Sequence, residues 1–150
     1  MVQEKQGKLV ESIESYDRAI EIDSEKPKIW NNRGAALGKM GRYEEALSSI
    51  DRSLALKSDN AEAWNNRGSA LCMLTRYDEA LEDFSRALKI DPKHCEAWCN
   101  KGEALRRLGD YAQSLKSFDA ALELNSHHQR ARRGRILVLG EMETEKTKDI

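Results

Sequence analysis

Proline is nearly missing from this chain, with 2 in 150 residues. Aromatic residues are scarce too, at 6 %, and hydrophobic residues reach only 39 %, against about 45–50 % in an ordinary globular chain. Charged residues stand at 34 %, above the usual ~25 %. Together these figures exclude a thick α/β core and point to thin helical layers with broad solvated faces. An excess of one charge sign is also lacking. Lys and Arg total 25 and Asp and Glu 26, a formal net charge of −1. No global basic surplus is present to hold nucleic acid or an anionic membrane, so neither partner is expected. No apolar run approaches the 18 or so residues of a membrane span. The opening Met1-Val2-Gln3-Glu4-Lys5-Gln6-Gly7 has neither the apolar stretch nor the cleavage pattern of a secretory leader. The cysteines are Cys72, Cys95 and Cys99, an odd number that cannot all pair. Reduced thiols and a cytoplasmic location are the expectation.

What the sequence does contain is a repeat. Trp30, Trp64 and Trp98 stand 34 residues apart, and Gly34, Gly68 and Gly102 keep the same phase, as do Tyr43, Tyr77 and Tyr111. Laying 27–60 over 61–94 gives 14 identities in 34, and laying 61–94 over 95–128 gives 14 again. Average residue usage would give roughly two. Each unit reads as two helices. In 61–74, Ala63, Trp64, Leu71 and Leu74 are apolar at helical spacing; in 78–90, Ala80, Leu81, Phe84, Ala87, Leu88 and Ile90 form one stripe. Short breaks at Gly41-Arg42-Tyr43, Thr75-Arg76-Tyr77 and Gly109-Asp110-Tyr111 separate the two helices of each unit. One such hairpin cannot bury its stripe alone, whereas stacked neighbours can.

The pattern Trp64, Gly68, Tyr77, Ala80-x3-Phe84, Ala87, Pro92 at a 34-residue period resembles the tetratricopeptide repeat. The resemblance implies an all-α, right-handed α-solenoid of antiparallel helix pairs, with first helices inside and second helices outside. The array is expected to comprise a second helix of a partial unit (6–26), three full units (27–60, 61–94, 95–128), a capping helix (129–143) and a fraying tail (144–150). No first helix precedes 6–26 in this sequence, as expected either of a stretch cut from a longer array, the favoured reading, or of a helix that serves as an N-terminal cap. Where the family usually has Leu before the Gly, this chain has Arg33, Arg67 and Lys101; their stems are expected to lie along the neighbouring helix and their heads to reach carboxylates.

Catalytic signatures are wanting: no Gly-rich phosphate loop, no Ser-His-Asp order and no His-Glu-x-x-His occur. No enzyme activity and no cofactor are expected. His94, Cys95 and Cys99 make an incomplete ligand set for zinc, so no metal is expected, and Cys99 reads as a groove-lining thiol.

With first helices inside, helical geometry selects the residues that face a ligand. They are Asn31, Asn32, Ala35, Gly38 and Lys39; then Asn65, Asn66, Ser69, Cys72 and Met73; then Cys99, Asn100, Glu103, Arg106 and Arg107. Asn32, Asn66 and Asn100 form a ladder whose amides match what a peptide backbone offers. Similar ladders line the repeat arrays of O-linked N-acetylglucosamine transferases, which this surface resembles. Arg106, Arg107, Arg130, Arg132, Arg133 and Arg135 make the C-terminal end cationic, which suits an acidic segment. The family's co-chaperone members clamp a terminal carboxylate with cations on three first helices. Here the matching slots hold Asn31, Ala35, Asn66, Glu96 and Asn100, without those cations. The expected function is a non-catalytic module that binds a protein or peptide segment in its groove. The alternatives are a self-associating scaffold, joined weakly through an exposed N-terminal face of Leu9, Ile13, Tyr16 and Ile20, or the targeting arm of a larger enzyme such as a glycosyltransferase.

Overall fold

The computed structural model describes residues 2–148, with side chains from 6 to 145. Among the described residues there are eight helices and no strand: α1 (Val2–Ile22), α2 (Pro27–Lys39), α3 (Tyr43–Leu56), α4 (Ala61–Met73), α5 (Tyr77–Ile90), α6 (Cys95–Arg107), α7 (Tyr111–Leu124) and α8 (Gln129–Lys148).

Local chemistry sets these limits. Proline at the first position opens α2, where its fixed φ fits and its missing N–H costs nothing. Asn60 caps α4 by accepting from the Ala63 N–H at 3.2 Å, and Asp110 caps α7 through the Gln113 N–H at 3.1 Å. The breaks inside units need a left-handed residue. Gly41 and Gly109 supply it at φ 78° and 82°, and in the middle unit Thr75 is forced to φ 60°. Each tryptophan pins the turn before its helix. Trp30, Trp64 and Trp98 donate their indole N–H to the carbonyls of Ser24, Ser58 and Pro92 at 2.8, 2.8 and 2.9 Å.

Every helix packs on the next in sequence. Beyond those pairs, α2 touches α4, α4 touches α6 and α6 touches α8, whereas α1, α3, α5 and α7 do not touch one another. The first helices therefore form the tighter row, which curves the stack and makes them its concave wall. The result is a solenoid of antiparallel helix pairs. The phased glycines permit the close approach within each pair. A Cβ added at Gly68 would lie 2.7 Å from Phe84 Cε1, and one at Gly102 2.9 Å from Phe118 Cε1. Phe84 and Phe118 are buried there, and Ala63, Ala97 and Ala131 are buried against the second helix of the preceding unit.

The phased cations tie units together. Arg33 Nε donates to Asp17 at 2.6 Å and Arg67 Nε to Asp51 at 2.6 Å, each reaching the second helix of the preceding unit. Arg67 also holds both carboxylate oxygens of Asp83, at 3.0 and 2.8 Å. Arg135 repeats the pattern with Asp119 at 2.7 Å. Ser85 occupies the matching acid position opposite Lys101, whose ammonium lies 5.6 Å from the Trp98 ring centroid instead.

Three expectations need correction. α1 runs Val2–Ile22 instead of 6–26, because the chain turns where Asp23 accepts from the Glu25 N–H at 3.0 Å before Pro27 starts α2. α8 passes 143 and takes in the tail to Lys148, since Glu141–Lys148 holds no Gly or Pro and is rich in Glu and Lys; residues 149 and 150 lie outside the described residues. The stripe Leu9, Ile13 and Tyr16 is not an exposed face. Ile13 is 6 % exposed, with Leu9 and Tyr16 packed around the same cluster as Leu37 and Leu47, because an amphipathic helix has one apolar stripe and α2 covers it.

Candidate functional site

The concave wall collects the residues that the sequence points to, but it spends many of their polar groups on itself. Asn31 and Asn65 are buried at 6 % exposure in the seams between first helices. Asn66 Nδ2 donates to Asn31 Oδ1 at 3.1 Å. Asn100 Nδ2 donates to Asn65 Oδ1 at 2.9 Å and to Ser69 Oγ at 3.2 Å. The amide N–H groups of the ladder are thus turned along the wall, where each satisfies a buried carbonyl. Asn32 makes no such bond, and the series ends at α8, where Gly134 replaces the next amide and Arg130 donates to Asn100 Oδ1 at 2.9 Å.

Two hollows open on this wall. The first lies between α2 and α4 and measures about 220 Å³. Its lining is mostly small, with Gly34, Ala35, Gly38, Ala46 and Ala70, and is completed by Lys39, Tyr43, Asn66, Ser69 and Met73. The second lies between α6 and α8 and measures about 360 Å³, lined by Cys99, Glu103, Arg106, Arg107, Arg130 and Arg133 among others.

The cationic end is weaker than its composition promised, because most of its guanidinium groups are paired internally. Arg106 is taken up by Glu103, at 3.0 and 2.8 Å, and by Glu141 at 2.6 Å. Arg107 Nε donates to Glu103 at 2.9 Å, and Arg130 bonds Glu96 at 3.0 Å. Burial opposes the charge on Glu103, yet the bonds from Arg106 and Arg107 hold its carboxyl below the ordinary value. Among the described residues, Arg132 and Arg133 have no ion pair and Arg107 keeps its terminal nitrogens free, so these three carry the uncompensated charge.

The inter-unit histidines were not singled out as joints by sequence. His94 Nδ1 accepts from the Ala97 N–H at 3.2 Å and its Nε2 faces Glu62 at 3.2 Å. His128 does the same with Ala131 at 3.1 Å and Glu96 at 2.8 Å. Each histidine caps its own helix and reaches back to the helix before; the bond to Glu62 raises the pKa of His94. The thiols are quiet. Burial pushes Cys72 up to about 12 and Cys99 up to about 11, and Cys95 donates to the Ala121 carbonyl at 3.3 Å. Among the described residues, no three His, Cys, Asp or Glu side chains are placed to hold a metal ion, and no helix is long and apolar enough to cross a membrane.

A signal for the wall's hydrogen bonds does exist in the sequence. Asn31 and Asn66, Asn65 and Asn100, and Arg106 and Glu141 are all 35 residues apart. One repeat plus one residue is the offset that brings side chains together on the inner row.

Comparison with known proteins fits this geometry. Models of the tetratricopeptide repeat match residues 31–94 and 95–128, and a TPR repeat model matches 5–41. No curated protein sequence matches the chain. Among solved structures, MamA superposes with a TM-score of 0.83 at 18 % identity, covering 94 % of this chain and 82 % of that one. The first TPR of Spaghetti (RPAP3), solved bound to the HSP90 peptide SRMEEVD, gives a TM-score of 0.77 at 22 % identity, covering 81 % and 96 %. The second TPR domain of human RPAP3, solved in complex with the HSP70 peptide SGPTIEEVD, gives 0.69 at 26 % identity, covering 75 % and 97 %.

Proposed function

The chain belongs to the tetratricopeptide-repeat family, and we propose that it is a non-catalytic interaction module that holds an extended segment of a partner protein along its concave wall. The observation that carries this reading is the wall itself: a continuous inner row of four first helices with two hollows and three uncompensated arginines. Two structural relatives of the same fold were solved with short peptides bound, which supports a peptide as the kind of ligand. Those peptides end in acidic residues. In this chain the free cations stand at the α6–α8 end, on Arg107, Arg132 and Arg133, so an acidic part of the partner would lie there. With its N–H turned to Asn31, Asn66 would meet a ligand through its carbonyl side, and Asn32 through its whole amide. The test is affinity capture from native extract with the wild-type chain and with a double variant Ala35→Arg/Ser69→Arg, which crowds the wall. A partner retained by the wild type and lost by the variant supports the reading; equal retention overturns it.

A self-associating scaffold is the second reading, and it rests on α8 instead of α1. Ile136, Leu137 and Leu139 are 69, 47 and 37 % exposed there, more apolar surface than α1 offers along its packed stripe. Light scattering at two concentrations checks it: a mass that rises with concentration and returns to the monomer value in Ile136→Asp supports it, and a constant monomer mass removes it.

A further inference from the structure

We infer that the concave wall reads two side chains of its partner segment: an aliphatic one in the α2–α4 notch, and a carboxylate in the α6–α8 hollow, about five or six residues away. This rests on the groove reading above and narrows it to a ligand class. The notch has a mostly small lining, with Gly34, Ala35, Gly38, Ala46 and Ala70, and about 220 Å³ of space. A water takes about 30 Å³, so the notch admits a side chain of several carbon atoms. Its surroundings offer little to a charged group: Lys39 is the one formally charged residue on it and is exposed, beside the neutral phenol of Tyr43. An aliphatic side chain loses its water there against Gly34, Ala35, Gly38, Ala70 and Met73.

The second hollow has the opposite character. Arg106 is largely committed, since each of its three nitrogens donates to Glu103 or Glu141. Open donors include the terminal nitrogens of Arg107 on α6 and the whole guanidinium of Arg133 on α8. A carboxylate between them would meet two forks, the geometry in which arginine binds carboxylates most strongly. A single carboxylate of the protein, Glu103, lines the hollow, and it is already held by Arg106 and Arg107.

Spacing follows from the inner row. The notch straddles α2 and α4 and the hollow straddles α6 and α8, two first-helix steps further on. Packed helices lie about 8–10 Å apart, so the two sites are roughly 16–20 Å apart. An extended chain advances about 3.3 Å per residue, which gives five or six positions.

The experiment selects a displayed library of random 12-residue peptides on the full chain, then on two variants. Gly38→Leu fills the notch; a Cβ at Gly38 meets nothing within 4 Å, and replacing a helical glycine favours the fold, so its melting temperature should not fall. Arg133→Glu reverses the charge in the hollow. Wild-type selection should enrich peptides that carry Leu, Ile, Val or Met five or six positions from Asp or Glu. Synthetic copies should bind roughly tenfold or more weakly when the aliphatic residue becomes Ser. Gly38→Leu should erase the aliphatic preference and Arg133→Glu the acidic one, each without the other. Enriched peptides without the pair, or with the pair on both variants, overturn this inference while leaving groove binding intact. Failure of the wild type to enrich any peptide overturns both.

Discussion

Replacing Asn100 by alanine separates a wall that holds itself together from one that is free for ligand. The substitution removes the donor to Asn65 Oδ1 at 2.9 Å, the bond to Ser69 Oγ at 3.2 Å and the acceptor for Arg130 at 2.9 Å. The Arg130 bond is exposed and counts for little. Asn65 is 6 % exposed, so its carbonyl loses its partner without gaining water. Leaving a buried acceptor unmade costs about 1–3 kcal/mol. For a chain of this size each kcal/mol moves the melting temperature by about 2–4 °C, so Asn100→Ala should melt roughly 2–12 °C lower. Asn32→Ala is the control: its side chain makes no hydrogen bond within the protein, and surface changes of that kind stay within about 0.5 kcal/mol. Circular dichroism melts of both variants under one set of conditions decide the matter. Equal melting temperatures for Asn100→Ala, Asn32→Ala and wild type would refute the claim that the ladder's N–H groups join neighbouring repeats.

Further outcomes follow from other contacts. Arg67→Ala strands Asp83, whose side chain is 3 % exposed and whose carboxyl burial pushes above its ordinary value even with Arg67 against it; the loss should be about 2–4 kcal/mol by chemical denaturation, and Arg67→Met/Asp83→Leu should recover most of it. Thr75→Gly relieves a β-branched residue at φ 60° and should stabilise by about 0.5–1 kcal/mol, since the left-handed cost of roughly 1–2 kcal/mol is partly offset by the entropy of glycine. Cys72 and Cys99 titrate at about 12 and about 11 in the folded chain, raised from 9.0, so their contribution is complete below pH 9 and lost as pH climbs through 9–12; unfolding midpoints should drop across that window and drop less in Cys72→Ala/Cys99→Ala. Ile13→Asp should lower the melting temperature by unseating α1, without changing the chain's mass in solution.

The fold was legible because its signals repeat. A 34-residue phase of Trp, Gly and Tyr carries turn, close approach and packing at once, and three copies make each residue type's role unambiguous. Arg33 and Arg67 could be assigned to carboxylates because a long cationic stem beside a packed helix has few other places to put its charge. The site was less legible for the same reason that the fold was clear. Several inner-row contacts use an offset of one repeat plus one residue, so Asn66 meets Asn31 and Arg106 meets Glu141, and a reading at the bare repeat period misses those neighbours. Six arginines promised a strongly cationic end, but Glu96, Glu103, Asp119 and Glu141 pair with some of them at offsets from 3 to 35 residues, and three retain uncompensated charge. The α1 stripe reads as exposed in the sequence because a single apolar stripe does not say which neighbour covers it; α2 does.

Binding along the concave wall is tested most directly by site-specific photo-crosslinking. A benzophenone side chain is placed at Ala35, Ser69 or Arg107 on the inner row, and at Ser48, Glu82 or Lys116, exposed on the outer helices. Each variant is irradiated in native extract. Adducts with one partner protein from the inner positions and not from the outer ones are the predicted result. Adducts from the outer positions alone would contradict it.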